Sequence, residues 1–404
     1  MKTIKSGISQ LKSILIDHLE QNILKFWLSK TPDFENGGFY GQINSENKAV
    51  ADANKGVILN TRILWTFSAA YGFFKSNEYQ KMAERAYSYI SEHFSDRIYG
   101  GVYWELDYRG MPVNKRKQIY AQAFAIYSFV EYFNICKDQN VLQKAIDIYK
   151  LIEKNSLDKS ENGYIDAFAE DWSDIADLRL SDKDLNAPKT MNTHLHILEA
   201  YTNLYRVWKN EYLRKSLQNL IVIFLEKFID ERGHLILFFD RSWNKMDDYC
   251  SYGHDIEFSW LITEAALVLG DENLIKRTEN TAKEIAELVR KEGLDADGAI
   301  MYEFDYKNNK ADTDKHWWMQ AEAMVGFLNI YGISGDDKYL ESLINVWEFT
   351  YKNMVDHQNG EWFWRTDRNG NVYPGIEKAG FWKCPYHNSR AILELAERFE
   401  KNGL

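Results

Sequence analysis

Residues 99–110 read YGGVYWELDYRG, two glycines followed at once by apolar and aromatic residues. A glycine before such a run predicts a short strand that is entered through a turn. The same pattern recurs along the chain, at ENGGFYG (Gly38), YGGVYWELDYRG (Gly101), NGYIDAF (Gly163), RGHLILFFD (Gly233), DGAIMYEFD (Gly298) and NGEWFWRTDRNG (Gly360). Intervals of 62 to 70 residues between these glycines suit a repeat built from a helical hairpin and its loops.

Two kinds of predicted helix alternate with the glycine motifs. An amphipathic segment such as KMAERAYSYISEHFS (81–95) precedes a motif, and a segment that is apolar nearly all round, such as IYAQAFAIYSFVEYFNI (119–135), follows it. A helix that is apolar on most sides is buried, whereas an amphipathic one faces solvent. Six outer and six inner helices predict an all-α fold, an (α/α)6 barrel with short β-hairpins in its loops. We expect one catalytic domain over residues 1–404, with an open α-solenoid as the alternative.

Composition narrows the class of function. Lys and Arg number 49 against 60 Asp and Glu, so the net charge of −11 argues against a nucleic-acid partner or an anionic membrane surface. No apolar run approaches the length of a membrane span. The three cysteines, at positions 136, 250 and 384, are far apart, which disfavours a disulfide framework or a zinc site and suits a reducing compartment. We therefore expect a cytoplasmic protein, and we expect it to be a monomer.

Aromatic residues make up 15% of the chain, and flat aromatic rings pack well on the apolar faces of a sugar. The inner helices also begin with polar residues that a simple core would not need. Because all inner helices enter from one end of a barrel, we expect these residues to ring one mouth of its axis. They are Arg62, Tyr120, Gln122, Asn192, His194, His196, His254, Asp255, Glu257, Trp317, Gln320, Glu322, His387, Asn388 and Arg390.

Two of these histidines lie at predicted helix starts, where the partial positive charge disfavours imidazolium. His254 follows Ser251, a plausible N-cap, and His387 follows Pro385, which suits the first helical position. Two neutral imidazoles on opposite sides of a sugar can remove a proton beside a carbonyl and return one to the other face. Arg62, Asn192 and His196 are candidates to hold the oxygen that becomes negative. His194 lies off the Asn192–His196 face, and we interpret it as structural.

The residues alone leave other classes open. A glycoside hydrolase needs two carboxylates, for which Asp107, Asp184, Glu257 and Glu322 are available, but it would give the histidines no role. A metal site built from His196, His254, His387 and Glu257 is a further alternative, although no HExxH motif is present. A sugar-binding module without catalysis would not need so many titratable groups. Glu257 and Glu322 are also candidates for buried ion pairs with Arg62 or Arg390.

Several motifs resemble those of the cellobiose 2-epimerases, which belong to the N-acylglucosamine 2-epimerase superfamily of (α/α)6 barrels. The resemblance extends in order from about residue 20 to residue 395, and GHDIE and CPYHN are its most specific parts. The motifs are KGVILNTRILWTFSAAY (55–71), YGGVYWELDYRG (99–110), KTMNTHLHILEAYTNLY (189–205), SYGHDIEFSWL (251–261), WWMQAEAMVGF (317–327) and FWKCPYHNSR (381–390).

The resemblance implies reversible epimerisation at C2 of the reducing-end glucose of cellobiose, lactose and related β-1,4 disaccharides, without a cofactor and without a metal. It implies that His254 and His387 are the acid/base pair and that His196 helps to polarise the carbonyl. The positions implied to hold the sugar are Arg62, Tyr120, Asn192, Glu257, Trp317 and Trp382, to which we add Glu322. Trp318 can replace Trp317 after a shift of one residue. Related enzymes that epimerise free mannose or isomerise it to fructose share most of these residues and remain alternatives.

Overall fold

The computed structural model describes residues 2–404, and its helices form six hairpins. In chain order the helices are α1 Lys2–His18, α2 Lys25–Lys30, α3 Val57–Phe74, α4 Asn77–Tyr89, α5 Ile119–Cys136, α6 Gln139–Asn155, α7 Met191–Val207, α8 Glu211–Ile223, α9 Tyr252–Leu269, α10 Glu272–Leu288, α11 Trp317–Ser334, α12 Lys338–Asn353 and α13 Tyr386–Lys401. Wider π-helical turns join α1 to α2 and extend α4, α8 and α10, at Leu19–Leu24, Ile90–Phe94, Phe224–Phe228 and Val289–Gly293.

The inner ring consists of α3, α5, α7, α9, α11 and α13, and the remaining helices pack outside it. Each inner helix contacts the next one along the chain, and α13 contacts α3, so that the ring closes. The inner helices are buried on nearly all sides, whereas α4, α6, α8, α10 and α12 bury one stripe each. The predicted (α/α)6 barrel is therefore confirmed, and the open solenoid is wrong. Within the described residues no helix combines the length and apolarity needed to cross a bilayer.

Short strands lead into the inner helices α3, α5, α7, α9 and α11. They are β1 Lys55–Gly56, β2 Glu105–Leu106, β3 Pro112–Asn114, β4 Lys117–Gln118, β5 Ala167–Phe168, β6 Lys189–Thr190, β7 Phe238–Phe239, β8 Tyr249–Ser251, β9 Glu303–Asp305, β10 Lys310–Asp312, β11 Lys315–His316 and β12 Arg365–Thr366. The strand before an inner helix pairs antiparallel with the strand that follows the next glycine motif, as β1–β2, β4–β5, β6–β7, β8–β9 and β11–β12. A bridge between Ile43 and Ala379 completes the same pattern between the last repeat and the first.

The six motif glycines share a backbone conformation that explains their recurrence. Their φ angles lie between 59° at Gly38 and 93° at Gly233, in the left-handed region that other residues rarely enter. The chain leaves each outer helix, turns through this glycine and begins its strand. The prediction of a glycine turn before each motif strand is confirmed.

A lysine–aspartate pair recurs in every repeat, with a buried lysine in five of the six, and was not predicted. The aspartate follows the outer helix, and the lysine lies in the segment that leads to the inner helix. The pairs are Lys55–Asp33, Lys117–Asp96, Lys189–Asp158, Lys245–Asp230, Lys315–Asp295 and Lys378–Asp356, at 2.6 to 3.4 Å. Lys245 is partly exposed, and the other lysines are buried. A buried pair that loses one partner leaves an uncompensated charge, so these pairs fix each outer helix end against the next inner helix.

Candidate active site

His254 on α9 and His387 on α13 contact the same indole at the mouth of the barrel. The ring of His254 lies 4.8 Å from that of Trp318, and the ring of His387 lies 5.7 Å from it, centroid to centroid. The two imidazoles are 133 positions apart in sequence, and the packing of α9, α11 and α13 brings them to one indole. The structure therefore places the two candidate acid/base groups where they can contact one ligand.

His196 reaches the same mouth through a continuous set of aromatic contacts. Its ring lies 4.8 Å from Tyr120 and 4.7 Å from Phe124. Phe124 is 5.4 Å from Tyr386, whose ring is 4.9 Å from that of His387. All three candidate catalytic histidines thus belong to one packed site.

Each histidine is held through Nδ1, and the partners differ. His387 Nδ1 lies 2.6 Å from Glu322 Oε1, and His196 Nδ1 lies 2.9 Å from Glu199 Oε2. His254 Nδ1 instead contacts the Ser251 hydroxyl at 2.8 Å. Within the described residues no hydrogen bond is made by the Nε2 atom of any of the three. These atoms are therefore available to a substrate.

Ser251 occupies the N-cap position of α9, as the sequence indicated, but its side chain does not cap the helix. Its hydroxyl is used by His254 one turn later. Pro385 is likewise the N-cap residue of α13 and not its first helical residue, because the helix begins at Tyr386. Despite these two differences, His254 and His387 both lie in the first turn of their helices.

One arginine connects the carboxylates beneath the histidines. Arg390 Nη2 donates to Glu257 Oε1 at 2.9 Å and to Glu322 Oε1 at 2.7 Å, and Arg390 Nη1 donates to Glu199. All four side chains are buried. Of the ion pairs that the sequence left open, the structure forms those with Arg390 and none between Arg62 and either glutamate among the described residues.

Burial and neighbouring charges move the pKa values of this site in different directions. Burial lowers the pKa of His254 to about 3, with His196 and His387 adding to the effect, and burial lowers the pKa of His387 to about 3 although Glu322 opposes it. Burial works against ionisation of Glu322 too, but Arg390 and His387 lower its pKa to about 2. Burial and the charge of Glu322 raise the pKa of Glu257 well above its usual range. The histidines are therefore neutral in the free protein at neutral pH, as predicted.

The metal site that the sequence left as an alternative is not formed by the four residues named for it, because among the described residues only His387 and Glu257 of that set are grouped. Glu257, Glu322 and His387 place potential ligand atoms within 4.8 Å of one another. The guanidinium of Arg390, however, donates to both carboxylates from one nitrogen. The same guanidinium disfavours the hydrolase arrangement for this pair, because two glycosidase carboxylates must flank a sugar and not a cation. Asp107, a further hydrolase candidate, accepts backbone N–H groups in a turn of its own hairpin.

The candidate sugar-holding residues lie beside His196. Arg62 Nη2 donates to the Tyr120 hydroxyl at 2.7 Å, and Arg62 Nη1 lies 3.5 Å from the Trp382 carbonyl. The Trp382 ring is half-buried, 5.9 Å from that of Tyr120. Arg62 Nε and Asn192 Oδ1 are buried without a hydrogen-bond partner among the described residues. Unpaired buried polar atoms are costly, which fits a site that a polar ligand completes.

Of the two adjacent tryptophans, Trp318 is the one between the histidines. Trp317 is buried against Trp364 at 5.1 Å and lies 6.3 Å from His387, whereas half-buried Trp318 contacts both imidazoles. Consecutive helical residues point about 100° apart, so only one can face the axis. The geometry therefore favours Trp318 over Trp317 as the residue that stacks on a sugar.

Apart from His194, which the sequence already marked as structural, four more polar residues of the inner helix starts do not meet at the mouth as expected. Their side chains turn towards the outer wall and hold the loops of the glycine motifs. The contacts are Gln122 with Val102, Asp255 with Leu235, Gln320 with Ile300 and Asn388 with Glu361. Polarity alone does not reveal which side chains of a helix start point to the axis and which point to the wall.

His194 is structural, and its two hydrogen bonds predict how stability depends on pH. Its Nδ1 donates to the Thr190 carbonyl at 2.7 Å, and its Nε2 accepts from the Tyr164 N–H at 2.9 Å, which only the neutral ring can do. Burial lowers its pKa to about 4. Because the unfolded chain binds a proton below about pH 6.5 and the folded one does not, the stabilising contribution is complete above 6.5 and is lost as the pH falls towards 4.

We therefore expect the stability advantage of the wild type over His194→Gln to shrink by up to about 3 kcal/mol between pH 7 and pH 4. Urea denaturation at a series of pH values measures it. Thr202→Val on the same helix removes a buried side-chain hydrogen bond without a titratable group, so its deficit should not change with pH. A pH-independent deficit for His194→Gln would show that the ring is not held neutral.

The chain is similar to known proteins over nearly all of its length. The family model of N-acylglucosamine 2-epimerase matches residues 38–391. The cellobiose 2-epimerase of Bacteroides fragilis is 48% identical over 386 residues, covering 95% of this chain and 98% of that protein. The structure of cellobiose 2-epimerase from Bacillus thermoamylovorans B4167 superposes with a TM-score of 0.93 at 41% identity, covering 96% of this chain and all of that one. The D-mannose isomerase of Marinomonas mediterranea is 24% identical over 401 residues, covering 95% and 96% of the two chains.

Proposed function

The chain belongs to the N-acylglucosamine 2-epimerase family, and on that premise we propose that it is a cellobiose 2-epimerase. It interconverts the reducing-end glucose of cellobiose- or lactose-type β-1,4 disaccharides with mannose through a cis-enediolate. The observation that carries the proposal is the placement of His254 and His387 against one indole, with both Nε2 atoms unpaired. The high identity to enzymes of that name supports the disaccharide substrate.

In the proposed reaction the open-chain sugar lies with C2 between the two imidazoles. One imidazole takes the C2 proton, the electrons of the C–H bond form the enediolate, and the other imidazole gives a proton to the opposite face of C2. Both rings are neutral in the free protein, so the step balances when one of them takes up a proton from solvent as the substrate binds and the other stays neutral to act as the base. Glu322 beside His387 stabilises that charge, whereas His254 has only a neutral serine hydroxyl.

The negative oxygen of the enediolate needs donors, and the site offers them on the side of His196. We assign this role to His196, Arg62 and Asn192, with Tyr120 and the two half-buried tryptophans at 318 and 382 packing against the sugar. Glu257 and Glu322 lie beneath the site and act through Arg390 and His387. None of these steps calls on a cofactor.

A second candidate is epimerisation or isomerisation of free mannose and glucose. Isomerisation needs only that the proton return to C1 instead of C2, and the same histidines can supply it. The lower identity to D-mannose isomerase, 24% against 48%, favours the disaccharide. A glycoside hydrolase is the candidate of a different class, and the Arg390 guanidinium between Glu257 and Glu322 argues against it.

Incubation with cellobiose or lactose in D₂O is expected to give the mannose-ended epimer carrying deuterium at C2, because solvent exchanges with the protonated imidazole. NMR of a substrate panel that also includes mannose, glucose and N-acetylglucosamine measures this. Release of glucose and galactose from lactose would move the protein to the hydrolases. Fructose formed from mannose, with disaccharides unchanged, would favour the isomerase.

We further propose that residues 1–404 act as one catalytic domain, in a monomer and in the cytoplasm. The site supports the single domain because it draws residues from all six inner helices. Three free thiols, Cys136, Cys250 and Cys384, suit a reducing compartment. Sedimentation analysis tests the monomer.

A further inference from the structure

Glu199 lies one turn after His196 on α7 and is placed to control that histidine. It is buried, and both of its oxygens are used. Oε2 accepts from His196 Nδ1 at 2.9 Å, while Oε1 accepts from the Tyr386 hydroxyl and from Arg390 Nη1. A carboxylate held by donors on one side can only accept on the other, so it requires a proton on His196 Nδ1.

The opposite nitrogen of the imidazole is thereby left as an acceptor facing the mouth. His196 Nε2 makes no hydrogen bond within the described part of the chain, and the ring is fixed between Tyr120 and Phe124. In this tautomer His196 can receive a proton from a sugar hydroxyl and, once charged, donate it to a negative oxygen. The Glu199 carboxylate stabilises the charged ring.

Arg390 extends this control to the second side of the site. The same guanidinium binds Glu199 through Nη1 and Glu322 through Nη2, and Glu322 holds His387 Nδ1. Two catalytic histidines on different helices, α7 and α13, are thus oriented by carboxylates that share one cation. His254, held by Ser251, stands outside this network.

We propose that Glu199 is a positioning residue for the epimerisation, which fixes the tautomer and orientation of His196 and, with Arg390, aligns it with the Glu322–His387 pair. This inference rests on the proposed function for its kinetic consequences. The tautomer of His196 is a property of the free protein, so that part of the inference holds whatever the substrate is.

The test substitutes Glu199 by glutamine, which keeps the shape and removes the charge. The single amide oxygen is expected to stay with the donors Arg390 and Tyr386, so that the amide NH₂ faces His196 Nδ1. That nitrogen must then accept, and the proton moves to Nε2. ¹⁵N NMR of labelled histidine at pH 7 should show a proton on Nδ1 of His196 in the wild type and on Nε2 in E199Q. An unprotonated Nδ1 in the wild type, or an unchanged tautomer in E199Q, would overturn the proposal.

Kinetically, E199Q should lower kcat by roughly 10- to 100-fold while KM changes by less than about threefold, by analogy with the partners that orient metal-bound histidines, whose loss typically costs this much. Adding E199Q to His196→Ala should cause little further loss, because Glu199 acts through that ring. A fully additive loss would indicate a merely structural role and would sink the idea.

Glu131→Gln is the matched control. Glu131 on α5 and Glu199 both line a cavity of about 700 Å³ formed by the C-terminal halves of the inner helices, but Glu131 contacts Asn203 and no catalytic histidine. The kcat of Glu131→Gln should match that of the wild type.

If E199Q does not fold, Glu199→Asp keeps the charge near Arg390 but withdraws it from His196, and unchanged kcat in that variant would contradict the proposal. Absence of epimerase activity in the wild type would refute the proposed function. The NMR result would then still decide whether Glu199 fixes the tautomer of His196.

Discussion

Replacing His254 or His387 with alanine is expected to lower kcat for epimerisation at least ~10²-fold, because each ring serves one face of C2 and no other group replaces it. His254 is partly exposed, and when the buried His387 is truncated Glu322 keeps its ion pair with Arg390. Thermal unfolding should therefore remain cooperative, with a midpoint within a few degrees of the wild type.

Hydrogen exchange separates the roles of the two rings. A variant with one base left should still exchange the C2 proton of the epimer whose C–H bond faces that base, without converting it to the other epimer. His254→Ala and His387→Ala are thus expected to label opposite epimers in D₂O, as NMR can show. His357→Ala removes an exposed histidine that contacts the carbonyl and the ring of Tyr351, and it should retain full activity. Normal turnover in either mouth variant would remove that residue from the mechanism.

The ring of helices was predictable because its signal is repeated six times. Each copy pairs a positive-φ glycine turn with a half-apolar and a wholly apolar helix, and the periodicities are local in the chain. The strand pairing that sets the register between neighbouring repeats was not predictable, because each strand is only two or three residues long and carries too short a pattern. The buried lysine–aspartate pairs were missed for the same reason: the partners are 15 to 31 positions apart and nothing local marks them.

The sequence was enough to locate the candidate site at one mouth of the barrel. It was not enough to predict which side chains point into that mouth. A helix start shows which residues are polar, but whether Gln320 or Trp318 points to the axis depends on the helix rotation, which packing decides. The sequence indicated that Ser251 is an N-cap. A capping bond to a backbone N–H and a bond to the His254 side chain both reach about three residues ahead, so the sequence could not distinguish them. Glu199 carried a usable signal, since it lies three positions after His196 on the same helix face.

The second large effect is expected at Arg390. Its guanidinium compensates the ionised Glu199 and Glu322 in a buried environment, and it also contacts Glu257. Arg390→Met keeps most of the volume and removes the charge, which leaves two carboxylates buried without compensation. Breaking a buried pair in this way costs about 3–5 kcal/mol, and we expect the free energy of unfolding at pH 7 to fall by that amount.

Urea denaturation measures this loss, and Arg368→Met provides the control. Arg368 is exposed and pairs with Asp295 at 2.9 Å, and Asp295 keeps Lys315 as a partner when Arg368 is removed, so the change should cost no more than about 1 kcal/mol. The pH dependence supplies a second check. Arg390 holds the pKa of Glu322 to about 2, so without it the carboxylate binds protons at higher pH and the deficit should narrow as the pH falls from 7 towards 4. A deficit as small as that of Arg368→Met would mean that the carboxylates beneath the histidines do not depend on Arg390.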